Sequence, residues 1–76
     1  MRYIIADKQQ AVQHGFALNG HRTNGNLILL NEKEVTSSHA LSSAVTLEEK
    51  CQLITGTIYT HKGIINALEQ GGWNNG

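Results

Sequence analysis

His14, His21, His39 and His61, with the single Cys51, are the soft ligands this 76-residue chain offers to a transition metal. Structural zinc takes its ligands in local pairs, typically about two to five residues apart, because one turn of chain then delivers two donors. Here the closest spacings are seven residues, from His14 to His21, and ten, from Cys51 to His61. No local pair exists, so a metal would need a site assembled wholly by tertiary contacts. The expectation is no metal and no cofactor.

Nucleophilic chemistry is no better supported. Cys51, His61 and Asp7 supply a thiol, an imidazole and a carboxylate, the groups of a covalent catalyst. Cys51 falls on the apolar side of a helical pattern, however, and Asp7 sits where a helix needs a cap. Ser37, Ser38, Ser42 and Ser43 flank His39 without any nucleophile-elbow sequence. Gly15, Gly20 and Gly25 recur every five residues, which is neither a dinucleotide fingerprint nor a Walker loop, and no lysine-threonine pair follows them. A non-catalytic protein is expected.

Six Lys and Arg balance six Asp and Glu, leaving a formal charge of zero and little counterion-release drive toward nucleic acid. His21-Arg22-Thr23-Asn24-Gly25-Asn26 is still a polar loop with a guanidinium and several amides suited to phosphate or base edges, which makes His21 and Arg22 partner-binding candidates. A nucleic-acid regulator would require Arg2, Lys8, Arg22, Lys33, Lys50 and Lys62 to cluster on one face. Trp73 follows Gly71-Gly72, where a large amphipathic ring beyond a terminated helix either folds back or anchors a partner. Tyr59, just before the last helical pattern, can flank the same surface.

The elements that must position these residues begin with Tyr3-Ile4-Ile5-Ala6, an apolar run that reads as a central strand covered on both faces. Asp7 with Gln10 approximates a capping box for a helix over Lys8 to His14, ended by Gly15 with Phe16 folding back on it. Asn19-Gly20 and Asn24-Gly25 suit turns with positive φ at consecutive residues. Leu27 to Leu30 is a second strand. Asn31 to Glu34 reads as a turn into a short strand at Val35-Thr36, in preference to a helix capped by Asn31, because valine, threonine and paired serines form helices poorly. Thr46 and Glu49 make a capping box for a helix with Leu47, Cys51 and Ile54 on one side and Gly56 as its stop. Thr57 to Tyr59 is a strand, and Thr60 caps a helix over His61 to Gln70 with Ile64, Ile65 and Leu68 inward.

This order predicts a small single α+β domain over residues 1–76, with a three- or four-stranded sheet, two or three short helices mainly on one face, and residues 74–76 frayed. A chain of this mass should expose about 4,600 Å² when folded. One cysteine cannot form an internal disulfide, and the apolar run near the N-terminus is too short for a signal peptide or a membrane span, so a cytoplasmic, non-membrane protein is expected. Gly56-Thr57-Ile58-Tyr59-Thr60, running on to Gly71-Gly72-Trp73, is similar in style to short proteins of gut Bacteroidetes and their mobile elements; the resemblance implies a bacterial source and brings no activity and no site. The function expected is a protein-interaction or regulatory module, self-associating or bound to another protein. A small nucleic-acid-binding regulator is the alternative.

Overall fold

The apolar run near the N-terminus becomes strand β1 (Tyr3–Asp7), with Ile4 and Ala6 fully buried on one face and Ile5 covered on the other. The computed structural model describes residues 1–69. Within it β1 pairs antiparallel with β3 (Leu27–Asn31), in a register that sets Ile4 against Leu30 and Ala6 against Ile28. On its other side it pairs antiparallel with β4 (Thr57–Tyr59), which sets Ile4 against Ile58. A two-residue strand, β2 (Thr23–Asn24), extends β3, so the sheet order is β2-β3-β1-β4. The small α+β class expected from the sequence is what the chain adopts, with four strands among the described residues where three or four were expected and four α-helices where two or three were.

Three helices cover one face: α1 (Lys8–Gln13), α2 (Glu32–Thr36) and α3 (Leu47–Leu53), with a 3-10 turn at His39–Leu41 between the last two. Ala11, Val35, Leu41, Cys51 and Ile54 from this layer pack on Ile4, Ala6, Ile28 and Leu30. Each large aliphatic side chain removed from water there contributes about 1.5–3 kcal/mol. The second face carries α4 (His61–Glu69), where Ile64 meets Ile5 beside Tyr3, Tyr59 and Leu29. Ile65, expected inward, is 41% exposed. The surface area, 4663 Å², is that of a compact chain of this mass.

Local signals act as expected at α1. Asp7 accepts from the Gln10 amide at 3.0 Å, Gly15 takes φ +91° after the helix, and the Phe16 amide donates to the Ala11 carbonyl at 3.0 Å. That is a Schellman closure, and it turns Phe16 onto the core. Thr46 and Glu49 cap α3 reciprocally.

Three expectations are corrected. Residues 32–36 form a helix in place of the turn and strand: Asn31 and Glu34 complete a capping box and Val35 is buried, so capping and core packing outweigh weak intrinsic propensity. In the β2–β3 hairpin the closing pair is Asn24 with Leu27, which makes Gly25-Asn26 the central residues. Positive φ falls on Gly25 (58°) and not on Asn26, the pattern of a type II′ turn. At the end of α3 it is Thr55, not Gly56, that adopts the left-handed conformation, at φ 52°. Gly56 is needed for space: its amide reaches the Cys51 carbonyl at 2.7 Å, and a Cβ on it would stand 2.7 Å from Ile4 Cγ2.

Lys50 supplies a contact with no local sequence pattern. Its side chain is 8% exposed, and Nζ donates to the carbonyls of Leu41 at 3.1 Å and Ala44 at 2.7 Å. The ammonium thereby satisfies the backbone leaving the 3-10 turn, while the aliphatic stem covers apolar surface.

Thr55→Gly is expected to stabilise the protein by about 0.5–1 kcal/mol, because relief of left-handed strain exceeds the added chain entropy of glycine. Gly56→Ala should cost about 1–3 kcal/mol, as an overpacked contact against Ile4 does. Urea unfolding midpoints at unchanged slope measure both.

Candidate functional site

Glu34 lies at the centre of the most organised polar cluster. Its backbone amide donates to Asn31 Oδ1 at 2.8 Å, and its own Oε2 accepts from the Asn31 amide at 3.0 Å, which starts α2. The second carboxylate oxygen, Oε1, contacts His21 Nε2. His21 Nδ1 lies 2.7 Å from the Ala17 carbonyl oxygen. One glutamate thus caps a helix and draws the loop before β2 onto it.

Beyond His21 the chain joins the sheet, the Leu29 amide donating to the Arg22 carbonyl at 2.9 Å. This continues the β2–β3 ladder and sets Arg22 opposite Leu29, on the same sheet face. Tyr3, Gly20, His21, Arg22, Leu29, Leu30, Asn31 and Glu34 line a solvent-open cleft of about 200 Å³. The Tyr3 ring also lies 5.9 Å from the His61 ring at 50°. The cleft therefore runs from the His21-Arg22 loop to an aromatic side chain, Tyr3, whose ring also contacts α4.

A larger cleft of about 340 Å³ lies along Met1, Glu32, Lys33, Thr36 and Ser37. Its carboxylate is already committed: Glu32 accepts from the Arg2 backbone amide at 3.1 Å and from Arg2 Nη2 at 3.1 Å, and Glu48 lies 3.8 Å from Arg2 Nη1. Hydrogen bonding from Arg2 holds the Glu32 carboxyl below the usual range, and the same bond raises the guanidinium. Among the described residues that cleft has no aromatic lining and no histidine, so the smaller one is chemically richer.

The sequence candidates divide. His21 and Arg22 come together in the small cleft. Tyr59 is half-buried beneath α4, directly across the sheet register from Tyr3. Trp73, the Gly71-Gly72 stop and residues 74–76 lie outside the described residues. Sequence reasoning missed Tyr3, Leu29, Asn31 and Glu34. The Asn31-to-Glu34 spacing was the available signal, and it was outweighed by the poor helix formers after it.

The groups of the covalent arrangement do not meet. Cys51 is buried in the α1–α3 layer, where burial pushes its thiol up, whereas His61 packs on Tyr3 across the sheet and Asp7 accepts from Gln10. Among the described residues no three His, Cys, Asp or Glu side chains gather as a metal would require.

Cys51 is expected to react with an aromatic disulfide reagent at least about a hundredfold more slowly in the native protein than in the urea-unfolded chain, since reaction needs both opening and the thiolate. Absorbance of the released thiolate measures it. No protein-family model matches this chain, and neither a curated protein nor a solved structure does, so its function has to be read from these side chains.

Proposed function

We propose that the chain is a non-catalytic, regulatory protein-interaction module that self-associates through the open side of its second sheet face. The observation that carries this reading is the cleft at which Tyr3, Leu29 and Arg22 converge, with no residue of α4 among the described residues that line it. Helix α4 packs on the β4 side, around Ile64, and Tyr3, Leu27 and Leu29 are only partly covered. Aromatic, leucine and arginine side chains around a concavity are the composition of an interface anchor site.

A second copy is the occupant we favour. Formal neutrality removes long-range repulsion between copies. Leu18, 47% exposed, lies in the loop that walls the cleft, so an isologous contact brings each Leu18 to the partner's cleft. The nucleic-acid alternative has less support, because cations such a face would need are committed internally, Arg2 to Glu32 and Lys50 to backbone carbonyls. No helix among the described residues is long and apolar enough to cross a membrane. We place the protein in the cytoplasm, a reducing compartment in which the buried, unpaired Cys51 stays a thiol.

Light scattering over a concentration series tests the reading, with Trp73 emission recorded on the same samples. The expected result is a mass rising from one copy to two, with Leu29→Glu and Arg22→Glu both remaining monomeric while keeping wild-type far-ultraviolet circular dichroism. A monomer at every concentration overturns self-association. A salt-dependent shift on DNA or RNA by a monomeric chain would replace it with the nucleic-acid reading.

A further inference from the structure

Both ring nitrogens of His21 face acceptors. Nδ1 lies 2.7 Å from the Ala17 carbonyl oxygen, and Nε2 contacts Glu34 Oε1. A carbonyl and a carboxylate accept only, and a neutral imidazole carries a single N–H, so the two contacts are both hydrogen bonds when the ring is doubly protonated. The other Glu34 oxygen accepts from the Asn31 amide at 3.0 Å, so the carboxylate is held in place by the start of α2.

Among the described residues, positions 17–20 of the loop that this ring restrains have few other ties. The loop is anchored at one end by the Phe16 amide on Ala11 and at the other by the Arg22 carbonyl on the Leu29 amide. Between them residues 17–20 are exposed, and the His21 amide makes only a long bond of 3.3 Å to Leu18. Gly15 before the loop and Gly20 within it take φ +91° and +85°, with open space where a Cβ would stand, so beyond the anchored Phe16 these positions are not held by packing of their own.

We propose that the 17–22 loop is a proton-controlled latch: doubly protonated His21 ties Ala17 to Glu34 and fixes the wall of the Tyr3–Leu29 cleft, and loss of one proton turns one tie into an acceptor–acceptor contact that frees the loop. The groups facing His21 are Glu34 from α2, Arg22 from the loop itself, Tyr3 from β1 and the uncharged Asn31 at the end of β3. Burial opposes the charge on His21, and the hydrogen bonds to Glu34 and Ala17 together with the charge of Glu34 outweigh it, so His21 titrates above the ordinary histidine value. A histidine raised in the folded state contributes stability that is complete below its unfolded pKa and disappears as pH rises through the folded one. The latch is therefore closed on the acid side of neutrality and opens toward alkaline pH. It does not depend on self-association.

Nuclear magnetic resonance on dilute samples between about pH 6 and about pH 8.5 tests the latch through the His21 ring titration and the amide exchange rates of residues 17–21. Protection, corrected for intrinsic exchange chemistry, is expected to fall about tenfold across this range, the factor for losing one hydrogen bond to a charged group. His21→Gln should flatten that dependence. Glu34→Gln, whose amide oxygen still accepts from Asn31, should flatten it too and lower the His21 pKa. Constant protection in the wild type, a His21 pKa at or below the ordinary value, or wild-type pH dependence in His21→Gln would each overturn the proposal.

Discussion

Burial of β1 on both faces is the constraint on which the rest of the molecule depends. A strand with Ile4 and Ala6 fully buried on one side and Ile5 on the other needs a partner along each edge and a layer on each face. Five residues of β1 thus call for β3, β4, the α1–α3 layer and α4. The need is energetic as well as geometric, because the apolar faces contribute only once water is excluded from both. It also explains Gly56: the chain passes so close to Ile4 that a side chain there would intrude on the strand.

Around that sheet, the short α2 joins elements that share no local sequence. Glu32 holds Arg2 at the start of β1, Val35 enters the core, and Glu34 reaches His21 in the loop before β2. These contacts differ in worth. The Arg2–Glu32 pair is substantially exposed and screened by solvent, so it orients the N-terminus more than it stabilises the fold. The carbonyl bonds of Lys50 lie in a drier setting, where an unpartnered carbonyl costs about 1–3 kcal/mol. In the polar cluster beside the cleft, the His21 contact is the local, adjustable part, while the Asn31–Glu34 cap serves the core through Val35.

How far sequence reasoning reached can be followed along the chain. Asp7, Gly15, Phe16, Thr46 and Glu49 carry signals that act within a few residues, and each does in the fold what its spacing implies. The candidate site was half legible: His21 and Arg22 stood out as a polar loop, but Tyr3 and Leu29 reach them only because β1, β3 and the start of β2 lie side by side. The segment from Asn31 to Thr36 carried two conflicting signals, a capping pair and poor helix formers. The conflict was resolved by Val35, which gains more from burial in the core than the helix loses in propensity.

What the sequence by itself determined is most of the element types and their caps, residues 32–36 excepted, together with the absence of any local spacing suited to a metal, a phosphate or a nucleophile. Those properties depend on groups within about four residues of one another, the reach of a helical turn. Tertiary structure decided the strand order, the burial of Lys50, the second role of Glu34 and the meeting of His21 and Arg22 with Tyr3 and Leu29. The physical reason is that each joins residues distant along the chain, whose encounter is set by how two apolar sheet faces are covered and not by any preference of the residues themselves.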